Sequence, residues 1–599
     1  MPSVKNHPAA LKYILSILLG LPAALLVYGY LVSDYAGFTG GLLKSVQPYN
    51  DIRPALADPR LIGTYETMKP VLTIALILLL GFLYDACFRV QGRPARFMDR
   101  LITGVATLLD ANLVFWRQLS PVIRWGLLMA GAAQVIFYLF FLLNIPFHYD
   151  EAWAYNHLTG KGFAAAAFYY PESGNQLLYN MAAWLFNLLP FPARVTTRLP
   201  SFIASLFAAW YFFKLVFRHF KPELALFLTI LFAGSLPVVL YGIEARGYSF
   251  LTLSTVLLLY SADRIAFAGP PWKYQVLFLL ATIAGLYTMP SSMLLIAPLD
   301  IGILCYLSAR GQWKTLRRFI AGLEAAAIIV LILYSPVIAL NDPGALAGRT
   351  DSDQQSVTQL IHRLGPAFRT VWYYLLGTSA VPFFLILPLL AATAVNAWKS
   401  RKQNQMLSWL ILVLLLSPPF LFLSWPNRPF TGTWTFLIVP LTLSFGYLCA
   451  YLANIPRFIP QVRRLSFPPA LLLGCYGCVF VLLFVNFKLE HNWRFAVDYH
   501  IRNDLGKIGS NIDRVRTIGI SGGPWEFYVA EAMYFESFER NPGRNIRIGA
   551  QQGSGDEDML ILMPDSTGSQ DRTGYQVVGR HPAFYSLYLR TITDTASSP

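Results

Sequence analysis

A chain of 599 residues that is 55% hydrophobic and only 13% charged, with a mean hydropathy of +0.48, is too apolar for a string of soluble domains and describes a polytopic membrane protein. Its formal net charge of +15 is of the kind that cytoplasmic loops of such proteins accumulate, and no basic, aromatic-interleaved module points to nucleic acid.

Lys5 and Lys12 lead into an apolar run from about residue 11 to 32, whose length fits an uncleaved first span better than a signal peptide. Further runs of spanning length lie near 70 to 88, 122 to 143, 200 to 217, 223 to 241, 246 to 262, 273 to 288, 290 to 307, 319 to 338, 380 to 398, 406 to 424, 433 to 453 and 468 to 487, so that about thirteen transmembrane helices are expected. With a cytoplasmic N-terminus the basic clusters alternate correctly. Arg89, Arg93, Arg96 and Arg100, then Arg218 and Lys221, then Arg310, Lys314, Arg317 and Arg318, then Lys399, Arg401 and Lys402, and finally Arg457, Arg463 and Arg464 all fall inside. Segment 89–121 is cytoplasmic on this reading, and Leu101, Val105, Leu108, Leu109 and Leu113 give it the pattern of a helix lying on the membrane surface.

The loops at 33–69, 144–199 and 339–379 and the tail from 488 then share the outer side. In the tail, charge and glycine rise and no spanning run follows, which predicts a small soluble α/β domain over 488–599. Helices are expected at 504–515 and 525–538, and strands at 516–521, 546–550, 558–563 and 575–580. Of the cysteines, Cys87, Cys305, Cys449, Cys475 and Cys478, the last two have C-x-x-C spacing. They sit in an apolar run without the polar, electropositive setting that reactive thiols or metal sites need.

Chemistry is expected where ionisable groups collect at the outer edge. Asn144-Ile-Pro-Phe-His-Tyr-Asp-Glu-Ala-Trp153 ends a spanning run in adjacent carboxylates, Asp150 and Glu151, which suit cation binding, proton abstraction or a solvated helix end. Phe168-Tyr-Tyr-Pro-Glu-Ser-Gly-Asn-Gln-Leu-Leu-Tyr179 brings Glu172 and Asn175 ahead of a short interfacial or re-entrant helix. Tyr241-Gly-Ile-Glu-Ala-Arg-Gly-Tyr248 places Glu244 and Arg246 in a tight external link, either as a local ion pair or as parts of a site. His148 and His157 flank the acidic pair, and isolated interfacial histidines are more often structural than catalytic.

Taken in order, Asp150-Glu151, Tyr-Pro-Glu-Ser-Gly-Asn, Thr197-Arg198-Leu199-Pro200-Ser201 and Glu244-Ala245-Arg246-Gly247-Tyr248 resemble the membrane glycosyltransferases of the GT-C superfamily. The nearest branch is the protein-mannosyltransferase-like, lipid A aminoarabinose-transferase-like and Rgt-type one. The resemblance covers residues 122–487 as a transmembrane catalytic core, with residues 1–121 as a two-helix addition. It implies a bacterial multi-pass enzyme of the cell membrane with an extracytoplasmic C-terminal domain. Such an enzyme moves a sugar from a polyprenyl-phosphate donor to a glycan, lipid or protein acceptor, with inversion.

The resemblance also implies roles. Asp150 is the general base, and Glu151 stands beside it in the catalytic pair. Glu172, Asn175, Glu244 and Tyr248 orient substrate, and Asp150, Glu172 and Glu244 are the oxygen ligands for a divalent cation if one is used. Leaving-phosphate stabilisation falls to Arg246, Arg428, Arg349 or Arg363. Phe430-Thr-Gly-Thr-Trp434 departs from the Arg-Tyr pair that relatives often show. The rival is a transporter or lipid flippase. Its support is Asp300 inside a span, read either as part of an ion path or as a carboxylate hydrogen-bonded between helices. No internal repeat accompanies it.

Overall fold

The computed structural model describes residues 20, 23–43, 59–88, 103, 107, 110–170, 175–265, 272–340, 371, 375, 386–400, 406–424, 431–452, 496–508, 515–520, 528–535, 547–550, 558–562, 575–581 and 585–590. Among the described residues the N-terminal helices include Ala23–Val32, α1 (Tyr35–Leu43) and α2 (Pro59–Phe88), ahead of α3 (Pro121–Asn144). Short elements follow: α4 (Tyr149–His157), α5 (Phe163–Phe168), α6 (Leu177–Phe186) and α7 (Ala193–Thr196). The bundle continues with α8 (Leu199–His219), α9 (Pro222–Ala233), α10 (Leu236–Ile243), α11 (Tyr248–Ile265), α12 (Trp272–Thr288), α13 (Met293–Ala309), α14 (Trp313–Leu340), α15 (Ile386–Ser400), α16 (Leu407–Ser424) and α17 (Ile438–Leu452). A further helix, α18 (Ala496–Ile508), leads to the C-terminal strands, and residues 528–535 are helical between the first two of them.

Among the described residues five helical stretches are long and apolar enough to cross a membrane: Pro121–Asn144, Ala193–His219, Pro290–Ala309, Trp313–Ile338 and Gly432–Leu452. A sixth is the pair α9 and α10, bent by 55°. The run expected near 70–88 lies within α2, those near 246–262, 273–288, 380–398 and 406–424 coincide with α11, α12, α15 and α16, and the run at 468–487 lies outside the described residues, as do Cys475 and Cys478. The bend has a local cause: α9 stops at Gly234, Ser235 caps the next turn, and Pro237 in the first turn of α10 can offer no N–H to the helix before it. The run expected as one helix over 223–241 is therefore two.

The core lies between α8, α9, α11 and the C-terminal helices of the bundle. Phe212 stacks on Phe232 at 4.3 Å, and Leu251, Leu258, Leu295, Leu410 and Trp434 are fully enclosed with them. Residues 110–118 form a helix whose packed side is Asn112, Phe115 and Trp116, while Leu113 is exposed. Lys214 of α8, almost wholly buried, donates to Asn112 Oδ1 at 2.6 Å and lies over the rings of Phe115, Tyr211 and Tyr260 at 5.0 to 5.6 Å. An amide oxygen and three ring faces thus hold that cation and fasten the 110–118 helix to the bundle.

The C-terminal segment forms a five-stranded sheet of order β2-β1-β3-β5-β4. Its strands are β1 (Thr517–Ile520), β2 (Arg547–Ala550), β3 (Met559–Leu562), β4 (Tyr575–His581) and β5 (Tyr585–Arg590). β2, β1 and β3 run parallel, whereas β5 pairs antiparallel with both β3 and β4. Four of the strands fall where the sequence predicts them. β5 was not expected, and α18 begins eight residues before the helix expected from 504.

Candidate active site

The site grows from the end of α3. The helix stops at Asn144, and Pro146 and Phe147 turn the chain into α4, whose first turn carries Asp150 and Glu151 where negative charge suits the exposed N–H groups of a helix start. Glu151 closes that turn: its Oε2 accepts the His148 N–H at 2.9 Å, the reciprocal half of a capping box. The same carboxylate accepts Arg198 Nε on Oε1 at 2.8 Å and Arg198 Nη2 on Oε2 at 2.6 Å, and Oε1 also takes the Ala245 N–H at 2.5 Å.

Arg198, at the start of α8, spends its remaining donors on the carbonyls of Leu142, Ile145 and Pro146 at 2.8 to 3.2 Å. All five guanidinium N–H groups are thereby used, and its Cζ lies 4.9 Å from the centre of the Phe147 ring. Both side chains are completely buried. Burial works against the Glu151 charge, yet the Arg198 guanidinium and the two backbone N–H groups hold its carboxyl below the ordinary value. Glu151, expected beside Asp150 in a catalytic role, is therefore a brace joining the end of α3, the start of α8 and the link after α10.

Asp150 faces differently. Its side chain is 42% exposed, and Oδ2 lies 3.2 Å from Nη2 of Arg246, whose own side chain is only 15% exposed. Burial opposes the Arg246 charge, but Asp150 and the nearby Tyr248, Tyr241 and Glu244 drive its pKa up. The Arg246 turn is itself fastened. Its carbonyl accepts Ser201 Oγ at 3.0 Å and Ser249 Oγ at 3.3 Å, and the Gly247 N–H donates to Gln176 Oε1. Arg246 lies over the Tyr248 ring at 5.4 Å, and Tyr248 meets Tyr241 at 4.4 Å between ring centres.

The 3-10 helix Thr431–Leu437 closes against these two tyrosines at Gly432, where a Cβ would stand 2.5 Å from the Tyr241 hydroxyl and 2.6 Å from Tyr248 Cζ. Only a residue without a side chain permits that approach. Glu244 is buried at the end of α10 close to Arg246.

Asp150, Glu151, Glu244, Arg246 and Tyr248 thus come together from two chain segments, 150–151 and 244–248. Asn175 is buried beside them but engaged: Nδ2 donates to the Tyr169 carbonyl at 2.5 Å and Oδ1 accepts from Asn180. Glu172, Arg349, Arg363 and Arg428 lie outside the described residues. Among the described residues no group of three His, Cys, Asp or Glu side chains gathers as a metal site, and the charge facing Asp150 is a guanidinium.

Several residues were missed that matter to the geometry. Arg198 stood inside a quoted motif without a role, although an arginine opening an apolar span calls for a partner. Gln176, Asp498, Tyr528 and Glu531 gave no such signal. The last three come from the C-terminal segment and grip α4, so His148 and His157 are not isolated. His157 Nε2 lies 2.8 Å from Glu531 Oε1, and Asn156 Nδ2 donates to Glu531 Oε2 at 2.8 Å and to its carbonyl at 3.0 Å. Phe535 stacks on Phe147 at 4.1 Å and meets Tyr155 edge-on.

No protein-family model matches the chain, and no curated protein matches its sequence. Among solved structures, ArnT from Cupriavidus metallidurans in the apo state is similar over 78% of this chain and 98% of its own, with a TM-score of 0.52 and 14% identity. The archaeal oligosaccharyltransferase AglB from Archaeoglobus fulgidus, in complex with an inhibitory peptide and a dolichol-phosphate, gives a fainter likeness. It extends over 74% of this chain and 70% of its own, at a TM-score of 0.45 and 10% identity. The chain therefore shares its fold with ArnT over most of its length.

Proposed function

We propose that the protein is a glycosyltransferase that takes a sugar from a polyprenyl-phosphate donor and places it, with inversion, on a glycan, lipid or protein acceptor at the outer face of the cell membrane. The observation that carries this reading is the half-exposed Asp150 carboxylate 3.2 Å from the enclosed Arg246. An acid and a cation are held together at the end of an apolar bundle, where a prenyl tail can stay in lipid while its sugar phosphate reaches water. The GT-C fold supports it.

In the reaction Asp150 takes the proton of the acceptor hydroxyl as that oxygen forms its bond to the anomeric carbon. The bond from that carbon to the phosphate oxygen breaks with its electron pair going to the polyprenyl phosphate. Arg246 is placed to receive the charge that develops there. A carboxylate paired with arginine is a weak base, so a donor phosphate that draws Arg246 to itself frees Asp150 to accept the proton. Glu244 and Tyr248 fix the Arg246 turn, and Glu151 fixes the relation of that turn to α4.

The test is sugar transfer by purified protein in lipid nanodiscs supplied with a polyprenyl-phosphate sugar. Asp150→Asn is expected to lower turnover by about 10²–10⁴-fold, the ordinary contribution of a positioned base, with an unchanged melting profile. Wild-type turnover in that variant removes Asp150 as the base. Lipid scrambling or solute movement by the wild-type protein in vesicles without any sugar donor would favour the transporter reading instead. Asp300 is the observation on that side, since among the described residues its Oδ1 is buried without the interhelical hydrogen bond expected of it.

A further inference from the structure

The C-terminal segment touches α4 in two places of different chemistry. Toward the far end of the helix the contact is broad and partly apolar, with Glu531 across Asn156 and His157 and Lys161 Nζ donating to the Tyr534 hydroxyl at 2.9 Å, while Phe535 meets Tyr155 edge-on and reaches back to stack on Phe147, just ahead of the helix. Contacts of this kind hold two layers together wherever the reacting groups lie.

At the near end the contact is small and polar. The Tyr528 hydroxyl donates to Asp498 Oδ1 at 2.6 Å and lies 2.7 Å from His148 Nδ1, which is also 3.2 Å from Asp498 Oδ2. Every group in this set is satisfied when His148 carries its proton on Nδ1. The Tyr528 ring stacks on Tyr149 at 5.0 Å with 18° between planes, and its hydroxyl also meets the Tyr149 backbone. His148 and Tyr149 are the two residues immediately before Asp150, and Asp498 is buried.

The first turn of α4 is therefore held from two sides. Glu151 and Arg198 anchor it to the bundle beneath, whereas Asp498 and Tyr528 fix its other face. Rotation of this turn about the helix axis swings Asp150 toward or away from Arg246. A second grip, on the two residues just before Asp150, limits that rotation, and a loss of orientation at a reacting group costs rate without costing affinity.

We propose that Asp498 and Tyr528, contributed by the C-terminal segment through His148 and Tyr149, are positioning residues that set the orientation of the Asp150 carboxylate. They touch no reacting atom. The proposal deepens the glycosyltransferase reading and rests on it for its effect on rate, though its mechanical part does not.

The experiment uses the full chain in nanodiscs. Tyr528→Phe keeps the ring stack and removes only the hydroxyl, and Asp498→Asn keeps the shape and removes the charge. Both are expected to leave the melting profile unchanged, to lower kcat by about 10- to 100-fold, the cost of a misplaced catalytic group, and to leave the KM for the polyprenyl-phosphate sugar within twofold. The double variant is expected to be no slower than either single one, because the two act as a unit. Amide hydrogen exchange without substrate supplies the second readout: exchange at 149–152 rises in Tyr528→Phe while that at 155–157 does not.

A raised KM at constant kcat overturns the proposal, since it would place these residues on substrate. So does an unchanged kcat together with unchanged exchange. Where wild-type protein shows no transfer from any donor but the exchange at 149–152 still rises, the positioning claim is upheld and the glycosyltransferase reading falls by itself.

Discussion

At Glu151 and Asp150 two adjacent carboxylates of the same helix turn have opposite fates, and the cause is what lies across from each. Glu151 meets a fully buried arginine and two backbone N–H groups, whereas Asp150 meets one arginine across an open face. Removing one member of a buried, hydrogen-bonded pair leaves the other charged and enclosed. Glu151→Gln is accordingly expected to cost about 3–5 kcal/mol of stability, read as a lower melting temperature in detergent, whereas Asp150→Asn leaves melting unchanged. The pH dependence has a definite sign. The Glu151 carboxyl is held below its ordinary value of 4.5 in the folded protein. Its contribution is fully present above about pH 4.5 and is lost as pH falls through the lower folded value. An acid melt of the wild type is expected to steepen there, and Glu151→Gln to lack that component. The sequence made Asp150 and Glu151 visible together but could not say which was buried, because the deciding partners are Arg198, 47 residues on, and the backbone of Ala245, 94 residues on.

The elements show the same division between local and distant causes. The run at 223–241 is apolar throughout, so hydropathy reads it as one span, yet Gly234, Ser235 and Pro237 were the legible warning of a break. The break matters because α10 delivers Glu244 and the Arg246 turn to α4. β5 was legible too, since Tyr585, Leu587 and Leu589 alternate with Ser586, Tyr588 and Arg590 at the strand period. The tight approach of the Thr431–Leu437 helix to Tyr241 and Tyr248 was not legible, because nothing near Gly432 in the chain announces two tyrosines 191 and 184 residues away. Gly432→Ala is expected to cost about 1–3 kcal/mol, the range for overpacking a filled site, and to lower transfer activity by displacing Tyr248 beneath Arg246. A melting curve and a turnover assay on the same preparation measure both. Unchanged melting would mean that the rings yield without strain.

Across the whole molecule, motifs spread from 150 to 248 pointed to the GT-C fold, whereas the contact between α4 and the C-terminal segment was invisible to them. That contact joins residues 350 to 380 positions apart, such as His148 with Asp498 and with Tyr528. Phe535→Ala is expected to loosen it by about 3 kcal/mol, the low end for losing a buried phenylalanine. The measurable result is faster proteolysis of the C-terminal segment while the helices α8 to α14 stay protected; equal proteolysis in both proteins would show that the apolar contact is dispensable. The Glu151–Arg198 bond also bears on how the chain is made. Arginine entering a bilayer without a partner is costly, and α8 begins with one that ends up wholly enclosed. Its counter-charge leaves the ribosome 47 residues earlier, so the acid is already waiting when the base emerges. The two can neutralise each other while α8 is being threaded, and insertion of this hairpin need not await the rest of the polypeptide.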